Sequence, residues 1–522
     1  MKKDFFIFVI LILSLAVRLT GINFGLPLEL HPDEGRLIYP ANSMAVHFMD
    51  SLQGWGDTAF FNPHMFYYGG FSIYLMMFLI KSVSFTLGGF GLIDISNIGY
   101  AFALARITTT FFGVLTVYIV YLLTKKLVDI KAGLISALFI AFFPTHVILS
   151  HYLSPDIIAA FFGILCVYLL FSGKFYLSAI ALGLGVGTKY YPATLVLLII
   201  PYCLFTVKET ILSRLSIIFR VGIISLAFFL LTNPHVVLSF PEFFSDMQSQ
   251  FLRNSGGIMG AVSPRFLYLL VNDDTSSMGK FFGNSLFSDL GPFSLIMVIF
   301  SLIAGFVNQN KKIRFLSIFS IFYFCFVSFP ISKEMRWLTF EFPILAVLAG
   351  SFVTSFKRVN LTYTLTVLLL IYPLSKSIIS AAAFAKGDTR TEAIKWVEDN
   401  LPKNSTIISD HIQVARAPFD SDKFHVIEIL HNKYNTGGIF ETERPFDLSY
   451  QSKPFYMVTN EKYYDYYTSS DFISLFPQLS QKWLLFYSKI TSELELIKCF
   501  KSFESDIVPF TGPDICVYRL DD

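Results

Sequence analysis

Apolar runs follow one another along the first three quarters of the chain, each closed by a short polar break. Runs of roughly 17–25 residues suit the hydrocarbon core of a bilayer. The pattern predicts crossings over 5–20, 102–123, 132–150, 157–171, 221–240, 291–307, 315–331, 338–356 and 362–380. Two shorter runs, 175–188 and 192–207, form a hairpin broken at Lys189-Tyr190-Tyr191-Pro192. Each arm is short for a full crossing, which places Lys189 in a cavity at membrane depth. About eleven crossings result.

The run 65–85 opens on Phe66, Tyr67, Tyr68, Gly69 and Gly70 and is interrupted by Lys81. Lys125, Lys126 and Lys131 form a basic loop, which the positive-inside rule places in the cytoplasm. With Lys2 and Lys3 on the same side, the crossings between them must be even in number. Residues 65–85 are therefore expected along the outer face. Basic breaks at Lys174, Lys208, Lys311 and Lys357 continue the alternation and leave the C-terminal tail outside. Met1-Lys2-Lys3 before an apolar run is signal-like, but no small-residue cleavage site follows, so it reads as a retained first helix.

From about residue 385 the pattern turns polar. Thr389 with Glu392 fits a capping box, and the helix it opens should end at Asn400-Leu401-Pro402. Strand-like runs follow at 406–409, 424–429, 455–459, 494–499 and 515–520. The chain thus divides into a transmembrane module, 1–384, with an outer loop over 21–100, and a soluble extracytoplasmic α/β domain, 385–522. Asn435-Thr436-Gly437-Gly438 reads as a turn, not a nucleotide fingerprint.

Composition agrees. Of 522 residues 54% are hydrophobic and only 15% charged, against about 25% charged in soluble domains. This is the composition of an α-helical polytopic membrane protein. A net charge of +2 gives no basic patch for nucleic acid. Five cysteines show no metal-ligand spacing, and the sequence leaves open whether Cys499 and Cys516 pair.

Chemistry enters with His31-Pro32-Asp33-Glu34-Gly35-Arg36, just after the first crossing. Pro32 suits a first helical turn, and Asp33 and Glu34 would sit at a helix N-terminus where the macrodipole favours negative charge. Leu37, Ala41, Met44 and Phe48 recur at helical spacing, predicting an amphipathic helix on the membrane surface. On the assigned topology Asp33, Glu34, Arg106, His151, Asp156, Lys189, His235, Arg336 and Glu341 all fall at the outer face. Ionisable groups beside spanning segments are functional candidates by default. Bland readings stand beside this: Arg106 and Arg336 as boundary cations, His151 and His235 as helix-end hydrogen-bonding residues, Asp156 as a cap. No fixed histidine spacing such as His-x-x-x-His marks a metal site, so neither metal nor cofactor is expected.

These residues resemble a known family. The outer-loop Asp33-Glu34, a second acid in Tyr152-Leu153-Ser154-Pro155-Asp156, and Gly183-x-Gly185-x-Gly187-Thr188-Lys189-Tyr190 resemble polyprenyl-phosphate-sugar-dependent glycosyltransferases of the GT-C fold. The branch is that of protein O-mannosyltransferases and the lipid A aminoarabinose transferase. Ser332–Trp337 is similar to that branch's arginine-bearing outer loop, and Gly387-Asp388-Thr389-Arg390 to the start of its extracytoplasmic domain.

The resemblance implies transfer of a sugar from a polyprenyl phosphate to a hydroxyl acceptor on protein, lipid or glycan, at the outer face of the cell membrane. It assigns Asp33 as general base with Glu34 beside it and Asp156 as the second acid. Lys189 and Arg336, then Arg106 and His235, would face the donor phosphate, and His31, His151, Tyr190 and Glu341 would line the cavity or meet the acceptor. The alternative reading is a polytopic transporter or lipid-linked-sugar flippase, which would also place charges in the membrane. Against it stands the single broken hairpin, without a matching partner.

Overall fold

Where the apolar runs end is set by caps and prolines. The computed structural model describes residues 2–26, 28, 30–48, 61–89, 98–256, 261–262, 265–271, 285–330, 332–411, 419–430, 433–434, 440–441, 454–460, 464, 467–468, 470–475, 477–501 and 512–520. Helix α1 spans Lys2–Leu19, α2 Pro32–Val46 and α3 Phe71–Val83, the last extended by a π turn over Ser84–Gly88. Then come α4 Gly99–Leu127, α5 Ile130–Ala141, α6 Pro144–Leu149, α7 Pro155–Phe171 and α8 Phe175–Thr188. A 3-10 turn over Tyr191–Leu195 leads into α9 Val196–Thr206.

After it come α10 Ile211–Thr232, α11 His235–Leu238, α12 Phe240–Gly256 and the short strand β1 Ala261–Val262. The module closes with α13 Leu286–Phe306, α14 Lys311–Ser328, β2 Ser332–Lys333, a 3-10 turn over Met335–Leu338, α15 Phe342–Thr354 and α16 Val359–Lys386. Among the described residues five helices are long and apolar enough to cross a membrane, and six shorter apolar helices accompany them. One large apolar cluster runs through this bundle, from Ile7 on α1 to Leu369 on α16.

Several boundaries depart from the sequence pattern. The run 132–150 is two helices, because Phe143 is extended and Pro144, lacking an N–H, starts a new helix. The run 221–240 begins ten residues earlier, where the Thr210 hydroxyl accepts from Ser213 N–H. Arg214 therefore rides on the helix and turns back to the carbonyls of Leu204 and Glu209. α13 also starts earlier, and its path bends at Gly291, whose φ of 69° suits glycine and is followed by Pro292. Phe71–Gly88, where a surface helix is expected over 65–85, is an 18-residue apolar helix long enough to cross a membrane. The residues before it are irregular. Gly69 donates to the Thr188 carbonyl at 3.0 Å, and a Cβ there would collide with the Gly187 backbone. The expected break at Lys189 is present, with Lys189 extended after α8.

Gly387, at φ 113°, turns the chain from α16 into α17, Thr389–Asn400. Asp388, not Thr389, is the cap: its carboxylate accepts from Arg390 N–H at 2.9 Å, while the Thr389 hydroxyl donates to the Pro513 carbonyl. The tail carries β3 Thr406–His411, β4 His425–Leu430, β5 Lys433–Tyr434, β6 Phe440–Glu441, β7 Phe455–Asn460, α18 Ser470–Leu475, α19 Pro477–Glu493, β8 Glu495–Phe500 and β9 Ile515–Leu520. Its main sheet has the order β4-β3-β7-β9-β8, parallel on the β4 side and antiparallel on the β8 side. Ala393 and Val397 of α17 cover one face with Ile407 and Val458. Trp483, Phe486 and Ile490 of α19 cover the other with Ile408 and Met457. Cys499 and Cys516 are cross-strand partners and are disulfide-bonded. The turn expected at 435–438 lies outside the described residues. The whole is the expected helical membrane architecture with an α/β tail.

Candidate active site

The Asp-Glu pair stands at the head of α2 because His31 and Pro32 start that helix. His31 Nδ1 accepts from Asp33 N–H at 3.3 Å, and Pro32 occupies the first helical position. Leu37, Ile38, Ala41 and Met44 are buried in the bundle core, so the apolar face of α2 packs into the protein.

The two acids then part company. Glu34 is fully buried and meets the Arg106 fork at 2.9 and 2.8 Å. Its Oε1 also accepts from Leu153 N–H at 3.0 Å. Arg106 Nη1 donates to the carbonyls of Ile22 and Phe24, and its guanidinium lies 4.4 Å from the Phe24 ring. Arg106 is thereby committed to a buried frame that joins α2, α4 and the loop before α7. The sequence had offered it as a phosphate ligand. Buried ion pairs need this degree of extra hydrogen bonding to offset desolvation.

Asp33 faces the other way, against Arg336 from the far end of the chain. Arg336 also donates to Glu334 through Nε. The strand before it, Ser332–Lys333, pairs antiparallel with Ala261–Val262 and so ties the arginine loop to the connection between α12 and α13. The Asp33–Arg336 pair is only partly covered, with side-chain exposures of 14% and 22%. Burial pushes the Asp33 carboxyl up, but the Arg336 charge and hydrogen bond, helped by His31, outweigh it and hold the carboxyl below its ordinary range. Burial works against the Arg336 charge too, and Glu334 and Asp33 more than restore it, so the guanidinium stays ionised.

A second pair stands beside the first. Asp156, on the first turn of α7, accepts from Lys189 Nζ at 2.6 Å and from the Tyr191 hydroxyl. Lys189 Nζ lies 5.2 Å from the ring centres of both Tyr68 and Tyr191. Tyr68 is within electrostatic reach of Asp33, Arg336, Asp156 and Glu334 together, and burial, then Asp33, push its hydroxyl up. Asp33, Arg336, Glu334 and Asp156 therefore cluster about Tyr68, with Lys189 in electrostatic reach of Arg336 and Glu334.

The remaining candidates make packing and hydrogen-bond contacts of their own. His31 stacks on Tyr152 at 3.8 Å, and burial lowers its pKa to about 4. His151 lies between the carbonyls of Val147 and Thr20, at 2.9 and 3.0 Å, and stacks on Phe384. Tyr190 donates to the Phe66 carbonyl at 2.9 Å and fixes the segment that carries Tyr68. His235 is buried at the start of α11, 3.2 Å from the Ser239 hydroxyl. Glu341 is buried ahead of α15, with Oε2 lacking a hydrogen-bond partner, and burial pushes its carboxyl up.

Glu334, Tyr68 and Tyr191 were not singled out from sequence. Each adjoins a residue that was, in the arginine loop, the aromatic-glycine run and the Lys189 break. Asp289 and Lys376 also escaped notice; they pair at 3.2 Å with Thr145 beside them. Among the described residues no group of three or more His, Cys, Asp or Glu side chains is placed to hold a metal ion.

Residues 97–235 match the family model of dolichyl-phosphate-mannose-protein mannosyltransferases. The fold is similar to that of ArnT from Cupriavidus metallidurans, solved with undecaprenyl phosphate bound, at a TM-score of 0.54 and 12% identity over 98% of this chain and 97% of that one. It is also similar to the oligosaccharyltransferase of Archaeoglobus fulgidus tethered to an acceptor peptide, at a TM-score of 0.55 and 13% identity over 92% of this chain and 72% of that one. Against the apo form of that oligosaccharyltransferase the chain spans 62% of its length. No curated protein matches the chain by sequence. The architecture is that of GT-C membrane enzymes.

Proposed function

We propose that this chain is a membrane glycosyltransferase that moves a sugar from a polyprenyl-phosphate donor to a hydroxyl acceptor, in one inverting displacement, on the extracytoplasmic side. The observation that carries this reading is the meeting of Asp33 with Arg336 beside Asp156 with Lys189: a proton acceptor and two cations around one space. The mannosyltransferase match over 97–235 and the likeness to ArnT support it. The Cys499–Cys516 bond supports the sidedness of the tail, because disulfides persist in oxidising compartments.

In this reading the acceptor oxygen bonds to the anomeric carbon as the bond from that carbon to the phosphate oxygen breaks. The hydroxyl proton passes to the Asp33 carboxylate. The departing polyprenyl phosphate gains negative charge, which Arg336 offsets through its fork and Lys189 as a point charge. Glu34 and Arg106 hold α2 in place and do not react. Asp156 keeps Lys189 aimed at the space. The acceptor, whether protein, lipid or glycan, would be met by the long outer loop and the tail.

Proteoliposomes holding the purified protein and a radiolabelled polyprenyl-phosphate sugar test this. The label should become covalently attached to an acceptor. Asp33→Asn should lower transfer by about 10²–10⁴-fold, the usual weight of a general base, while folding and membrane insertion stay intact. Movement of label across the bilayer without covalent transfer overturns the reading, as does near-normal transfer by Asp33→Asn.

A further inference from the structure

The junction between the last membrane helix and the tail domain touches both acid-bearing loops. Arg390, on the first turn of α17, is fully buried and holds Asp388 through Nε and Nη2 at 2.8 and 2.6 Å. Its Nη1 reaches out of the tail domain to the Leu30 carbonyl at 2.7 Å. Leu30 immediately precedes His31, the cap of the helix that carries Asp33. A few residues earlier, the Phe384 ring packs at a tilt against Phe24 at 4.7 Å and stacks on His151 at 4.3 Å. His151 adjoins Tyr152, which stacks on His31. The segment 383–390 therefore contacts the loop leading to Asp33 and the loop leading to Asp156.

A buried guanidinium with two donors on its own carboxylate and a third on a distant backbone carbonyl is an expensive contact unless each bond is made. Here all three are made, and the third fixes the chain one residue before a catalytic-helix cap. The Asp388 bonds stay within the cap of α17, whereas the Leu30 bond reaches the loop before α2. Asp33 must lie at a set distance from an attacking hydroxyl, and a displacement of about 1 Å is enough to cost on the order of 10²-fold in rate.

We infer that Arg390, oriented by Asp388, is a positioning residue through which the tail domain sets the height of the Asp33 helix in the site. The inference rests on the glycosyltransferase reading for its kinetic consequence, but not for its structural one. Lys189 and Arg336 lie on other elements and keep their charges toward the donor, so the larger loss should fall on the chemical step.

The test compares the wild-type chain with Arg390→Lys and with the double variant Asp388→Asn, Arg390→Met, which removes the ion pair without stranding a buried charge. Two readouts are taken on the full-length protein. Hydrogen exchange by mass spectrometry should rise selectively in peptides covering 30–37 in both variants, with β3, β7 and β9 of the tail unchanged. In transfer assays kcat should fall about 10–100-fold with the donor KM within twofold. Unchanged exchange over 30–37 overturns the inference, whatever the activity. So does a raised donor KM at unchanged kcat, or exchange that rises uniformly through the tail, which marks Arg390 as part of the domain fold alone. Should the wild type transfer no sugar, the functional reading fails and the exchange data still decide the inference.

Discussion

Asp33 and Arg336 are 303 positions apart and form an ion pair. The arginine also reaches Glu334, so one guanidinium serves two carboxylates at the mouth of the site. An arriving donor phosphate would compete for the same fork. As Arg336 turns toward phosphate, Asp33 loses the charge that keeps its proton affinity low and becomes a better base. In the proposed reaction the pair would thus link donor occupancy to activation of the acceptor.

That linkage has a measurable pH signature. Burial alone raises the Asp33 pKa, and Arg336 is the main force lowering it. Removing the guanidinium leaves the raising force unopposed. Arg336→Gln should therefore move the acidic limb of kcat/KM, which reports the free enzyme, to higher pH, besides lowering its plateau. The stability linkage has the matching sign. A depressed carboxylate contributes stability above its unfolded pKa and loses it as pH falls through the folded value. The wild type should then lose melting temperature on strong acidification, and Arg336→Gln should lose less over the same range. A variant limb at unchanged or lower pH would separate Arg336 from Asp33.

Glu34 should behave differently from its neighbour. It is sealed from solvent against Arg106 and the Leu153 amide. Glu34→Gln strands a buried guanidinium, and breaking such a pair from one side costs roughly 3–5 kcal/mol. The expected result is a sharp drop in melting temperature and in folded yield. Glu34→Gln with Arg106→Met should recover part of it. A stable Glu34→Gln protein with abolished transfer would instead make Glu34 a chemical participant.

How far the sequence went can be judged at these same residues. Crossing segments are legible because lipid tolerates few polar groups, and the five main strands of the tail are legible from their β-branched runs. Helix starts were less so: Thr210, Pro144 and Asp388 act through local hydrogen bonds and φ restrictions that hydropathy does not register. The roles of single charges were least legible. Arg106 and Arg336 look alike in sequence, each a lone cation in apolar surroundings. Only the packing of α2 decides that Glu34 turns inward to one and Asp33 outward to the other. Lys189 was marked by its own position, since a cation between two apolar arms has few other uses. Its partner Tyr191 was not, because a tyrosine in such a stretch is ordinary.

The tail disulfide should carry part of that domain's stability. Cys499 and Cys516 are separated by 17 positions. In the chain-entropy account a closed loop of this size is worth about 3 kcal/mol. The small sheet it staples should melt earlier in Cys499→Ser, Cys516→Ser than in the oxidised wild type. Limited proteolysis should then cut the tail while leaving the membrane module intact. Equal protease resistance with and without the bond would show that α17 and α19 hold the sheet unaided.

Lys189 gives the test that separates charge from shape. Its ammonium is held by Asp156 at 2.6 Å, between the rings of Tyr68 and Tyr191. Lys189→Met keeps most of the volume and removes the charge. If the ammonium faces the developing charge on the leaving phosphate, kcat/KM should fall about 10²–10³-fold, as when one oxyanion donor is removed. The loss should shrink with a donor whose phosphate is a better leaving group, because less charge then needs neutralising at the transition state. Asp156→Asn should show a smaller loss, since the cation stays but is less firmly aimed. If Asp156→Asn is the more damaging of the two, with the same sensitivity to the leaving group, then Asp156 and not Lys189 meets the substrate, and the lysine serves to hold the acid in place.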